Sequence, residues 1–454
     1  MASLDERRAI SLHALAAKLS SGSVTSRALV EECLERIEAK DGEGGRTFIS
    51  VNTENARREA DAQDKLRTQG RSPSSFAGIP VSIKDLFDVE GMQTRAGSTA
   101  LNDTPVAQKD APAVARLRAA GFVIVGRTNM TEFAYSGLGL NPHYGTPASK
   151  WDRDTRRVPG GSSSGAAISV ADGMAHAGFG TDTGGSCRIP AAFNYLTGYK
   201  PTARRVAREG VLPLSTSLDS VGPIARTVAC CSAIDKIIAD RPREAALESK
   251  AGTLRLGVLR TLVESEIEDA VAAAYEAALS KLSKAGIELS DFEMPELGDL
   301  AALGANGGIS AAESFRWHRE LLQRKANEYD PRVKSRILRG EEQTAEQYRS
   351  ALQLRRQFIE ATEKRVAPFD AVIMPTVPVV PPAIDALASD EAYTRVNLLV
   401  LRNPSIINLM DGCAISLPIS APDSPPVGLM LAAAGGCDAA LFRIASAVEE
   451  IVGV

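Results

Sequence analysis

The chain has 454 residues, 44% hydrophobic, 24% charged and only 5% aromatic, a globular composition long enough to bury a large core. A net charge of −4 gives no general electrostatic reason to bind nucleic acid or an anionic membrane. The N-terminus, Met1 to Ile10, is charged and lacks an apolar signal core, and no run of about eighteen apolar residues occurs, so a soluble cytoplasmic protein is expected.

The first sixty residues read as helices. Leu12, Leu15 and Leu19 share one face, and Ala28, Val30, Cys33, Leu34 and Ile37 form a second apolar stripe. From Gly78 the period changes. Gly78–Ile83 and Phe122–Gly126 read as strands separated by a helix over Asp110–Ala120. Ala166–Met174 is a helix of small residues, followed by a strand over Ala177–Thr181. Further strands are predicted at Leu254–Leu259, Ala371–Met374, Ala414–Leu417 and Val427–Leu431, with helices at 266–284, 311–327, 344–366 and 437–451. This alternation predicts an α/β protein built on a large, mostly parallel or mixed central sheet covered by helices. One domain is expected over 1–454, comprising N-terminal helices (1–70), a central part (70–225) and a C-terminal α/β part (250–454). The Ala239–Gly252 stretch is read as a helical or loop connection. Six cysteines without C-x-x-C spacing read as reduced core thiols.

Three segments depart from what packing needs. Val81-Ser82-Ile83-Lys84-Asp85 is an apolar strand that ends in a lysine. Pro159-Gly160-Gly161-Ser162-Ser163-Ser164-Gly165 runs straight into the small-residue helix. Thr181-Asp182-Thr183-Gly184-Gly185-Ser186-Cys187-Arg188 follows a strand. Each has an ordinary reading: a solvated lysine, a flexible Gly/Ser linker, a simple turn. The glycine stretch could cradle phosphate at a helix N-terminus, but it lacks a Walker A ending and G-x-G-x-x-G spacing. Two glycines before Ser186 let successive N–H groups point one way, as an oxyanion hole requires. The four histidines lie in none of these motifs, so a Ser–His–Asp triad finds no local support. No His/Cys/Asp/Glu cluster has metal-ligand spacing, so neither a metal nor another cofactor is expected.

Together the segments resemble the amidase signature family over residues 70–225, most closely in GGSSSG and GTDTGGSCRIPAAFNYLTGYKPT. The spacings agree too: 78 residues from Lys84 to Ser162 and 24 from Ser162 to Ser186. Fainter resemblance continues through Phe369–Thr376 and Pro426–Met430. The resemblance implies a single α/β/α domain that cleaves carboxylic amides through a Ser–Ser–Lys triad. Ser186 would be the nucleophile, Ser162 the bridging serine after a cis Gly161–Ser162 peptide, and Lys84 the base. The N–H groups of Thr183, Gly184, Gly185 and Ser186 would form the oxyanion hole, with Ser163, Asp182 and Arg188 bracing the site. Cys187 departs from the family's usual Ile or Gly.

By the same resemblance, residues 128–135 border the acyl pocket, with Ala134 facing the substrate. Phe315, Trp317 and Arg336 would close the opposite side, although the two aromatics also read as core. The implied substrate is a small neutral amide, with no nucleic-acid or membrane partner; a homodimer is left open. Two other readings stand beside the stand-alone amidase. One is the glutaminase subunit of a tRNA-dependent amidotransferase, for which the 395–412 segment lacks the acidic residue expected in ammonia handling. The other is a catalytically silent binding protein on this fold.

Overall fold

The computed structural model describes residues 3–240, 254–421 and 423–453. The Ala239–Gly252 connection therefore lies, beyond Asp240, outside the described residues. Eleven strands form one mixed sheet: β1 (Phe48–Val51), β2 (Pro80–Lys84), β3 (Val123–Thr128), β4 (Ala177–Asp182), β5 (Thr197–Lys200), β6 (Ser220–Ala225), β7 (Arg255–Leu259), β8 (Glu288–Phe292), β9 (Ala371–Pro375), β10 (Cys413–Pro418) and β11 (Gly428–Ala433). Their spatial order is β1-β3-β2-β4-β6-β5-β10-β11-β9-β7-β8. β2 lies parallel to β3 and β4, and β7 parallel to β8 and β9, while β4–β6, β5–β6, β5–β10, β10–β11 and β9–β11 pair antiparallel. One sheet thus takes strands from both sides of the 241–253 gap.

Alternate strand residues feed two separate cores, as the period of two requires. Ala371, Ile373, Ile415, Leu429 and Leu431 join Leu441, Phe442 and Val448 of the Asp438–Val452 helix. Val372, Met374, Ala414, Met430 and Ala432 instead meet Phe358 and Val366 of the Ala345–Val366 helix and Ile406 and Ile407 of the Asp390–Leu409 helix. Helices therefore cover both faces, the α/β/α layering expected from the sequence.

Several expectations are corrected. Phe48–Val51 is a strand inside the region read as wholly helical; Phe48 is buried and the strand pairs with β3. In the second N-terminal stripe Leu29 is buried and Ala28 exposed. β5 escapes notice because it is short and contains glycine, and β6 because it contains Gly222 and Pro223, residues that weaken a strand pattern. The Asp390–Leu409 helix is disguised by Pro404, which removes an N–H from its interior. All six cysteines are free of disulfides. No helix among the described residues is long and apolar enough to cross a membrane.

What this frame does for the site is bring chain segments into close contact. The helix Ser164–Ala171 packs on β4 with only small side chains between, and a methyl group at Gly178 would lie 2.5 Å from the Ala166 carbonyl oxygen. That approach places the end of the glycine/serine segment directly over the end of β4.

Candidate active site

Lys84 ends β2, a fully buried strand held between two parallel neighbours. Its Nζ is 2.8 Å from Ser162 Oγ and 2.9 Å from Thr181 Oγ1, and the residue has no exposed surface. Among the described residues no carboxylate pairs with it. Burial therefore dominates and pulls its pKa down to about 8, against weaker opposing pulls from Cys187, Asp219 and Asp182. A substantial fraction of this amine is neutral at mildly alkaline pH.

Ser162 follows a cis Gly161–Ser162 peptide bond. Its carbonyl accepts from Thr131 N (3.1 Å), and Gly161 N donates to Gly137 O (2.8 Å), so the 131–139 loop fixes the segment from one side. From the other side, Ser163 N donates to Ser186 O and Ser163 Oγ to Thr181 O, both at 3.3 Å. Lys84 is the one hydrogen-bond partner of Ser162 Oγ among the described residues.

The turn after β4 is organised by Asp182. Its carboxylate accepts from Arg188 Nη2 (2.8 Å) and Nε (3.0 Å), from Gly185 N (2.8 Å), from Cys187 N (3.1 Å) and from Asn408 Nδ2 (3.0 Å). Although its burial is complete, the Arg188 charge and these hydrogen bonds hold its pKa well below the usual carboxylate range. Arg188 also donates to Pro404 O (2.9 Å) and Asn408 Oδ1 (2.6 Å). Replacing Arg188 by methionine should cost about 3–5 kcal/mol, because it strands the buried Asp182 charge. Urea denaturation would measure it; a loss below about 1 kcal/mol would contradict this role.

Gly185 N–H donates to the Asp182 carboxylate and so braces the turn. The N–H groups of Thr183, Gly184 and Ser186 have no acceptor among the described residues. Gly185 is nonetheless needed at its place: its φ is +124°, and a Cβ would lie 2.6 Å from both Ile189 Cδ1 and Pro404 Cβ. Ser186 is 4% exposed, and its Oγ forms no hydrogen bond among the described residues. The neighbouring Cys187 is fully buried, its thiol pKa is pushed far up by burial, and Sγ points to Gly222 O.

The substrate-side residues are less drawn together. Ala134 is buried in the loop that holds Ser162, at positive φ directly after Phe133, also at positive φ. Trp317 is 39% exposed and lines a cavity of about 440 Å³ with Asp88, Leu101, Val106, Leu212 and Pro213. Arg336 donates to Tyr135 O and lies over the Tyr393 ring, whereas Phe315 packs against the core. Neither Trp317 nor Arg336 has a hydrogen bond or ring contact with Lys84, Ser162 or Ser186. Of the histidines, His143 bonds to Glu132 and His318 to the Tyr329 hydroxyl; none hydrogen-bonds to the serines or the lysine.

Sequence reading missed Thr181, Asp219 and Asn408. Thr181 is hidden because nothing but the register of β4 brings its hydroxyl to Lys84. Asp219 accepts from Thr183 Oγ1, Leu214 N and Ser215 N, and Ser-Leu-Asp-Ser before the Gly-Pro pair was the available signal. The 395–412 segment does contain an acid, Asp411, contrary to expectation. It pairs with the exposed Arg204 and forms no hydrogen bond with Lys84, Ser162 or Ser186.

The mixed sheet thus carries a buried lysine–serine pair beside a glycine turn. Residues 28–442 match the Amidase family model. A 2-amino-5-chloromuconic acid deaminase of Comamonas testosteroni is 34% identical over 98% of this chain and 96% of its own. The A-type chain of the glutamyl-tRNA(Gln) amidotransferase of Chromohalobacter salexigens is also 34% identical, over 96% of this chain and 95% of its own. A solved amidase superposes with a TM-score of 0.87 at 30% identity, covering 98% of this chain and all of that one. The chain belongs to the amidase signature family.

Proposed function

We propose that this enzyme hydrolyses a small neutral amide through an acyl-enzyme on Ser186. The observation that carries the reading is the 2.8 Å contact of the fully buried Lys84 Nζ with Ser162 Oγ, with no carboxylate hydrogen-bonded to the amine among the described residues. A neutral Lys84 takes the Ser162 proton while Ser162 takes that of Ser186, whose Oγ attacks the amide carbon. The N–H groups of Thr183, Gly184 and Ser186 stabilise the resulting oxyanion. As the tetrahedral adduct collapses, the C–N bond breaks and the proton returns through Ser162 to the leaving nitrogen. Water then cleaves the Ser186 ester by the same proton route. Ala134, Trp317 and Arg336 remain candidates for the substrate wall, Trp317 through the cavity beside it.

A second reading has support from the relatives: the glutaminase chain of a tRNA-dependent amidotransferase, which works with partner chains. A hydrolysis screen of the purified chain separates them. Short aliphatic amides, aryl acylamides, arylacetamides, glutamine and 2-amino-5-chloromuconic acid would be compared by release of ammonia or amine. Turnover of simple amides by the isolated chain is the expected outcome. Turnover of glutamine alone, rising on addition of partner chains, would favour the second reading. No turnover combined with no labelling by a fluorophosphonate would defeat both and leave a silent fold.

A further inference from the structure

We propose that Glu313 is a positioning residue for the oxyanion turn, acting through the 214–219 loop. Glu313 lies on the Gly308–Lys325 helix, outside every glycine motif. Its carboxylate gathers hydrogen bonds from two other parts of the chain. Oε2 accepts from Ser217 N (3.0 Å) and from Ser215 Oγ, whereas Oε1 accepts from Tyr348 Oη (2.7 Å) and Ser217 Oγ. The loop so held carries Ser215 N, 3.1 Å from both oxygens of Asp219, and Leu214 N, 3.0 Å from Asp219 Oδ2. Asp219 Oδ1 in turn accepts from Thr183 Oγ1. One continuous path therefore runs from the Ala345–Val366 helix, which bears Tyr348, through Glu313 and Asp219 to the first uncommitted N–H donor of the turn. Arg355 of the same long helix adds a bond to Ser217 O (3.2 Å), so the loop is fastened at both edges.

The path matters because a donor stabilises an oxyanion only when its N–H is aimed at the place where charge develops. Asp182 already fixes the second half of the turn at Gly185 and Cys187. The peptide that carries the Thr183 N–H is held on its carbonyl side, where Asp182 O accepts from Ser220 Oγ (2.9 Å) and Asn408 Nδ2 (3.1 Å); the Thr183 side chain adds a second hold on the other side, and that one runs through Asp219 and its loop to Glu313. This inference rests on Ser186 being the nucleophile and concerns the accuracy of the site beside it.

The rate of fluorophosphonate labelling tests it without a known substrate, since phosphonylation of Ser186 also places an oxygen in the hole. Glu313→Ala should lower the labelling rate constant about 10–100-fold, less than outright removal of an oxyanion donor. The midpoint of its pH dependence should stay where the wild type has it, because Lys84 is untouched. Glu313→Gln should regain all but about threefold of the rate, since an amide oxygen and nitrogen can serve the same four partners. A Glu313→Ala rate within about twofold of wild type would overturn the proposal, and so would a shifted midpoint, which would mean general disruption. Should that variant not fold, Ser217→Ala is read instead: a loss of roughly three- to tenfold supports the path, and a wild-type rate overturns it. Absence of labelling in the wild-type enzyme would instead defeat the nucleophile assignment itself.

Discussion

Ser186→Ala is expected to abolish turnover, by about 10⁵–10⁶-fold, the scale on which losing a serine nucleophile is felt. The fold should be untouched, because Ser186 Oγ has no hydrogen bond to lose and the turn is held by Asp182 and Arg188. A fluorophosphonate should modify Ser186 in the wild type and nothing in the variant. Peptide mass spectrometry placing the adduct on Ser162 or Cys187 would overturn the assignment. Cys187 is a poor rival in any case, with a buried thiol kept protonated by its surroundings.

Lys84 separates base from anchor. With Lys84 as the proposed base, its neutral form is the one required, so kcat/KM should rise with pH through about 8 and level off above it. Below that pH the ammonium predominates and cannot accept the Ser162 proton, so the loss lies on the acidic side. Lys84→Ala should cost about 10²–10⁴-fold or more and erase that acidic limb. Lys84→Arg should be nearly as inactive, because a guanidinium keeps its proton throughout the working range. Lys84→Met should be inactive yet at least as resistant to urea as the wild type, since it removes a fully buried cation to which no carboxylate among the described residues is hydrogen-bonded. Recovery of activity in the arginine variant would make residue 84 an electrostatic anchor and send the search for a base elsewhere.

The segments that form the candidate site were legible because they are written in consecutive residues. Lys84 closes an apolar strand, and Ser162 and Ser186 sit in glycine turns that packing alone does not call for. The layering was legible from alternation between strand and helix periods. What stayed hidden depends on register and on distant chain. Thr181 reaches Lys84 only because β2 and β4 lie in parallel register, a fact that neither strand encodes alone. That Gly185 N–H donates to the Asp182 carboxylate was not legible from its place before Ser186. Asn408 bonds Arg188 across 220 residues, from a helix that Pro404 conceals. Glu313 carries no local signature at all; its meaning comes from the serines it meets.

The same long-range clamp sets an order of events during synthesis. Lys84, Ser162 and Ser186 have left the ribosome soon after residue 186 is made, but Pro404 and Asn408, which hold Arg188, come 216 and 220 positions after it. At ordinary translation speeds that interval is roughly ten to forty seconds. β10 and β11, whose Met430 also touches Arg188, follow later still. A nascent or interrupted chain therefore holds its serines and lysine with the braces on the oxyanion turn unmade. The hold on Arg188 is complete only once Met430 has been made.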